Sequence, residues 1–101
     1  MYGLTGKFTA QPGEREALLG HLLAAASQLR AYEGCLIYIV SRATDDPNGI
    51  WVTEVWRSRD DHQGSLALKS TQALIAAARP LIAGMSDRTE FEPVGGKGLP
   101  A

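Results

Sequence analysis

The sequence has little cysteine, no long apolar run and no cluster of basic residues. Its 101 residues include one cysteine, Cys35, so no internal disulfide can form and we expect a reducing, cytoplasmic location. No apolar stretch approaches the ~20 residues of a membrane span. The first ten residues, MYGLTGKFTA, lack the basic and apolar regions of a secretory signal. A net charge of -1 without a basic cluster argues against binding to nucleic acid, and we expect no membrane partner.

Alternation and helical spacing of apolar residues predict seven elements in the order β-α-β-β-α-α-β. The predicted elements are a strand at Tyr2–Ala10, a helix at Glu14–Ala31, strands at Cys35–Arg42 and Ile50–Trp56, a helix from Ser58 to about Leu66, a third helix capped by Ser70 or Thr71 and kinked or ended by Pro80, and a strand at Arg88–Val94. This order is typical of an α+β, ferredoxin-like fold, with an antiparallel sheet and helices on one face. We expect residues 1–94 to form one domain and residues 95–101 a C-terminal tail.

The middle strands are apolar at both parities. Tyr38 and Val40 alternate with Ile37 and Ile39, and Val52 alternates with Trp51 in the next strand. An antiparallel sheet with one solvated face alternates apolar and polar residues instead. Helices cover only one face, so we expect a second copy of the chain to cover the other as a homodimer. The alternative is a monomer with scattered exposed apolar residues.

Several stretches together resemble the antibiotic biosynthesis monooxygenase (ABM) family, whose fold is a dimeric α+β barrel. They are MYGLTGKFTAQPGERE, YEGCLIYIVS, DDPNGIWVTEVWRSRDDHQGSL and RPLIAGM, in that order. The closing PVGGKGL resembles the branch whose members are described as quinol monooxygenases. Family membership predicts the fold better than the reaction, because one fold supports many activities.

The resemblance implies a cofactor-independent monooxygenase that oxidises a small aromatic quinol, phenol or anthrone with O2. A second possibility is a non-catalytic dimeric module that binds a small ligand or a partner. Haem-degrading and isomerase relatives are further, less favoured alternatives. The sequence contains no zinc-ligand spacing, phosphate-binding loop or dinucleotide fingerprint. We therefore predict no metal site and no cofactor besides O2 as co-substrate.

One departure from the family pattern affects the expected catalytic residues. Many family members carry a histidine nine residues after the strand tryptophan, and often another five residues further on. Ser65 and Ser70 occupy these positions here, whereas His62 lies earlier in the same predicted helix. A role for the usual histidine cannot be transferred to this chain.

Strand parity predicts which side chains meet in a cavity between sheet and helices. Glu54 and Trp56 have the same parity and should share one face, with the family's cavity tryptophan at Trp56. His62 lies four residues before Leu66, so both should occupy one face of their helix. We therefore predict Glu54 or His62 as the catalytic base, with Trp56, Tyr38 and Ser65 as substrate-binding residues.

Each of these residues also has a purely structural interpretation. Glu54 could form an ion pair with Arg42 or Lys7 across the sheet. Trp56 and Tyr38 could be packing residues, and His62 a solvated residue near the helix start. Two other residues are expected to have no role in catalysis. They are His21, which we expect at the surface, and Cys35, which we expect to be a small apolar packing residue.

Overall fold

The computed structural model describes residues 1–100 and contains one four-stranded sheet covered on one face by three helices. The elements are β1 (Tyr2–Ala10), α1 (Arg15–Gln28), β2 (Cys35–Arg42), β3 (Gly49–Trp56), α2 (Arg59–Leu66), α3 (Lys69–Ala78) and β4 (Ile82–Phe91), with 3-10 turns at Leu29–Ala31 and Arg79–Leu81. The strand order is β2-β3-β1-β4 and every pair is antiparallel. The predicted α+β, ferredoxin-like fold is confirmed. Among residues 1–100, no helix is long and apolar enough to cross a membrane.

The strand register decides which side chains face the helices. Leu4 of β1 lies opposite Glu54 of β3, and Tyr38 of β2 lies opposite Glu54 from the other side. Tyr2 likewise lies opposite Trp56. Because side chains on paired residues share a face, these five residues lie together on the helix side of the sheet.

The core fills only part of the space between sheet and helices. α1 buries Leu18, Leu19 and Leu22 against the sheet, whereas α3 buries only Ala78. Ile50 and Trp56 are fully buried on the sheet side. Since α3 covers the sheet without filling the gap beneath it, a cavity remains below the helices.

Two predicted boundaries were wrong. The third helix begins at Lys69, with Leu68 as its N-cap and no side-chain cap, so Ser70 and Thr71 lie inside its first turn. The reason is the short connection from α2, in which the Leu68 amide still donates to the Ser65 carbonyl and the Leu68 carbonyl accepts from Gln72. No loop remains in which a serine or threonine could cap the helix.

The last strand occupies Ile82–Phe91, not Arg88–Val94 as predicted. It pairs with β1 along its length, and the register shifts between Ser86 and Thr89. Asp87 has a φ of 55°, the left-handed region that aspartate tolerates better than most residues. Because of this β-bulge, the alternation of inward and outward side chains in the first half of the strand does not continue into the second half. A search for regular alternation therefore missed the first half.

Candidate functional site

A cavity of about 540 Å³ lies between the helix side of the sheet and the three helices. Most of its wall is apolar, and the apolar side chains include Leu4, Phe8, Leu22, Trp56, Leu74 and Ala78. The more exposed apolar wall residues Leu66, Ile75 and Met85 come from α2, α3 and β4. A mainly apolar cavity of this volume suits a small organic molecule.

The Glu54 carboxylate lies in the wall of this cavity. Its side chain is only 15% exposed, and its Oε1 accepts a hydrogen bond of 3.1 Å from Nε1 of Trp56. Burial raises the pKa of Glu54 above its ordinary value of 4.5, although the Trp56 hydrogen bond and the positive charge of Arg88 act in the opposite direction. The Glu54 carboxylate therefore binds a proton more readily than an exposed glutamate does, and it lies beside an apolar cavity.

The two ion pairs considered for Glu54 do not form. Arg42 binds Glu16, at 2.6 Å between Nη2 and Oε1, and Lys7 binds Asp46, at 3.0 Å between Nζ and Oδ2. Lys7 is on the outer face of its strand, and Arg42 reaches across to α1. The structural interpretation of Glu54 as half of a cross-strand ion pair was therefore wrong.

His62 is positioned by the first turn of α2. Ser58, where this helix was predicted to begin, caps it by accepting from the Asp61 amide, and the turn directs His62 inward. Its Nε2 is 3.9 Å from Oε1 of Glu54, and its ring lies 5.2 Å from the Trp56 ring centroid. The imidazole is buried, so the interpretation of His62 as a solvated residue was wrong.

The protonation state of His62 follows from its surroundings. Burial lowers its pKa below the ordinary value of 6.5, with Arg88 and Arg59 acting in the same direction and Glu90 in the opposite one. The imidazole is thus mainly neutral at pH 7, with one nitrogen able to accept a proton. Its Nδ1 is buried and has no hydrogen-bond partner among residues 1–100. Orphaned polar atoms are uncommon in folded proteins and often belong to functional sites.

The predicted binding residues also line the cavity. Tyr38 reaches it from β2, and burial is the main cause that raises its pKa, so the phenol is a neutral hydrogen-bond donor. Ser65 is buried, but its hydroxyl donates to the His62 carbonyl at 2.7 Å. Ser65 therefore fixes the helix turn that carries His62, and its oxygen can only accept from a ligand. Glu54, His62, Trp56, Tyr38 and Ser65 all line this cavity, while their roles in binding and catalysis stay predictions.

Three titratable residues of the cavity wall were not predicted there, and they are His21, Arg79 and Arg88. His21 was expected at the surface, but it is half-buried and lines the cavity together with Ala25. Its spacing of four from Ala25 could have indicated that shared face. Arg79 and Arg88 also line the cavity. Arg79 follows α3 and Arg88 lies at the β4 bulge, and neither position is visible in a periodic pattern.

Cys35 has the packing role expected of it. The residue is half-buried on β2, and burial raises the pKa of its thiol to about 11, with Glu54 acting in the same direction. A neutral thiol is a poor nucleophile. Among residues 1–100, no three side chains of His, Cys, Asp or Glu converge as metal ligands.

The fold is α+β and ferredoxin-like, and a carboxylate and an imidazole lie together in the wall of its mainly apolar cavity. The sequence profile of the family named antibiotic biosynthesis monooxygenase matches residues 1–77, so the chain belongs to that family. A crystal structure named for the family, from Chloroflexus aurantiacus J-10-fl, is 47% identical, covers 98% of each chain and superposes with a TM-score of 0.91. One from Deinococcus radiodurans is 26% identical over 95% of each chain, with a TM-score of 0.82.

A third structure named for the family, from Caulobacter crescentus CB15, is 24% identical over 93% of this chain and 90% of the other. Its TM-score of 0.85 supports the fold alone. A search of curated proteins found no significant match. The family prediction is thus confirmed, whereas the quinol branch and the dimeric barrel stay predictions.

Proposed function

We propose that this protein is a cofactor-independent monooxygenase that oxidises a small, flat quinol, phenol or anthrone with O2. The observation that carries the proposal is the Glu54 carboxylate, which is desolvated in the cavity wall and has no Lys or Arg in a salt bridge with it among residues 1–100. Such a group is costly to bury unless it has a purpose or a partner. Proton abstraction from a substrate would be that purpose.

The first step is removal of a proton from the substrate. Glu54 takes a proton from the phenol oxygen or from the acidic C–H of an anthrone, and its raised pKa makes it a stronger base than an exposed glutamate. The substrate ring packs on the apolar wall beside Trp56. Tyr38 and the neutral His62 are close enough to the same space to donate hydrogen bonds to the developing anion.

The later steps need no outside reductant. The electron-rich anion passes one electron to O2, the two radicals combine into a C–O bond, and the resulting peroxide takes up a proton. Loss of the remaining C–H proton at the same carbon then releases the distal oxygen as hydroxide, which is protonated to water. The CH2 group of an anthrone and O2 thus become a C=O group and H2O, a phenol with one ring C–H likewise becomes a quinone and H2O, and the substrate supplies all four electrons.

His62 is the second candidate for the base. Its Nε2 is 3.9 Å from Oε1 of Glu54, slightly beyond a direct hydrogen bond. A small side-chain rotation would allow the two groups to exchange a proton. In that arrangement Glu54 accepts the substrate proton and His62 returns it to the peroxide, so the pair would act as one acid–base unit.

The proposal includes a cytoplasmic homodimer. On the outer face of the sheet Ile39 is 52% exposed, and Trp51 and Ile37 beside it are only partly covered. Exposed apolar residues in one patch favour contact with another protein surface. A second copy of the same sheet would cover the patch, and the tail from Val94 onward would lie along that partner.

Oxygen uptake by the purified protein tests the proposal. The protein is treated with a chelator, checked for absence of flavin by absorbance, and supplied with a panel of quinols and anthrones. We expect uptake faster than the protein-free autoxidation, and one labelled oxygen in the product when ¹⁸O₂ is used. Uptake that ends entirely in H2O2 without label would identify an oxidase and contradict the proposal. Ring binding without uptake would favour the non-catalytic binding module.

A further inference from the structure

Two arginines share one carboxylate beside the cavity. Oε1 of Glu90 accepts from Nη1 of Arg88 at 3.2 Å, and Oε2 accepts from Arg59 and, at 2.9 Å, from the Tyr2 hydroxyl. The Arg59 guanidinium also lies 5.3 Å from the centroid of the Tyr2 ring. Two guanidinium groups and one carboxylate leave this cluster with one uncompensated positive charge. We call these four residues the Glu90 cluster.

Arg88 connects the Glu90 cluster to the cavity. It lines the cavity, and it does so because the bulge at Asp87 shifts the register of β4 at this point. Its charge lowers the pKa of both Glu54 and His62, so its electric field reaches the acid–base pair. The side chain is 59% exposed, which leaves it free to change partners.

The charges of the cavity wall also favour an anion. Arg79 and Arg88 line the cavity, whereas Glu54 is the one acidic residue of the wall within residues 1–100. Arg79 forms no salt bridge with the described residues, and His62 is mainly neutral. The wall is therefore positive even when Glu54 is ionised, and a neutral ligand would not use this excess.

We infer that the ligand is a flat aromatic molecule that carries a carboxylate, and that Arg88 binds this carboxylate while the ring packs near Trp56. Arg88 would exchange Glu90 for the ligand, and Glu90 would keep its bonds to Arg59 and Tyr2. The exchange therefore leaves no charge unpaired. A guanidinium can hold a carboxylate through two parallel hydrogen bonds, which fixes the ring orientation. The inference rests on the proposed function only for the statement that this ligand is the substrate.

The test uses two probes that cannot be oxidised at the ring and that differ in one group. Anthraquinone-2-carboxylate and anthraquinone-2-carboxamide are titrated into the full-length protein by calorimetry at low and moderate salt. We expect the carboxylate to bind about tenfold more tightly, as for a charge-assisted hydrogen bond at a partly exposed site. Added salt should narrow this ratio, because it screens charges.

Variants assign the effect to Arg88. Arg88→Gln should bring the two affinities together without weakening the carboxamide, and Glu90→Gln should strengthen the carboxylate by freeing Arg88. Arg30→Gln removes an exposed arginine outside the cavity wall and should leave both affinities unchanged. Melting curves check that each variant is folded. The ratio of the two affinities in the wild-type protein, and its dependence on salt, test the inference even if a variant does not fold.

Equal affinities in the wild-type protein would overturn the inference. So would an unchanged ratio in Arg88→Gln, or a ratio that is lost only in Arg79→Gln. In each case oxygen uptake with neutral quinols would leave the proposed function intact. Conversely, the protein could prefer the carboxylate through Arg88 and yet take up no oxygen with any quinol. That result would support the carboxylate site and contradict the proposed monooxygenase function.

Discussion

The two faces of the sheet differ most clearly along β3, where alternate residues face the cavity and the outer surface. Glu54 and Trp56 face the cavity, where the indole donates to the carboxylate and is almost fully buried. Trp51 faces outward and is only partly covered. On the helix side a charged group has been kept in an apolar wall, whereas on the outer side apolar groups have been left near solvent. The first arrangement favours chemistry and the second favours association.

The largest expected effect concerns the acid–base pair. Glu54→Gln keeps the shape and the acceptor for Trp56 but cannot take a proton, so oxygen uptake with an accepted quinol should fall about 10²–10⁴-fold. His62→Gln should reduce uptake less if Glu54 is the base. Glu92→Gln, at an exposed position outside the cavity wall, is the matched control. Wild-type uptake by Glu54→Gln would assign the base to His62.

The two tryptophans give the next largest difference. Trp56→Ala removes a side chain that is 1% exposed, and it should lower the free energy of unfolding by about 3–5 kcal/mol. Trp51→Ala should cost less in the isolated chain, because that ring is still partly in solvent. Urea denaturation of both variants, at a concentration where light scattering gives a monomer, measures the contrast. Equal losses would mean that the outer face is packed as tightly as the inner one.

The third prediction tests the dimer contact that we propose for the outer face of the sheet. Ile39→Lys places a charge at a residue that is 52% exposed, so it should convert the expected dimer into a monomer without unfolding it. Leu23→Lys changes a residue of similar exposure, 50%, on α1 and should leave the dimer intact. Light scattering at micromolar concentration gives both masses. A wild-type monomer would contradict the dimer outright.

The smallest expected effect is a gain of stability. The pKa of Glu54 is raised in the folded chain, so its contribution to stability is fully present below pH 4.5 and is lost as the pH rises through the folded pKa. Glu54→Gln has no such loss and should melt at a slightly higher temperature than wild type at pH 7. At pH 4 the difference should shrink. A variant that is less stable at pH 7 would show that the carboxylate stabilises the fold.

The sequence predicted the fold and the part of the site that depends on local geometry. Strand parity placed Glu54 with Trp56, and the spacing of four residues from Leu66 placed His62 on the inner helix face, because both follow from local geometry. The partners of Lys7 and Arg42 could not be predicted, since they depend on how the turn at Asp46 and the start of α1 approach the sheet. The position of Arg88 in the cavity wall was hidden because a bulge breaks the alternation on which such predictions depend.

A titration of Glu54 itself tests the central claim most directly. The protein is labelled with ¹³C at glutamate side-chain carboxyls, and the resonance missing from Glu54→Gln identifies the group. A desolvated carboxylate without a cationic partner should titrate above 4.5, the ordinary value for glutamate. A midpoint at or below 4.5 would mean that the group is stabilised as an anion. Glu54 would then be a structural acceptor for Trp56 and could not be the proposed base.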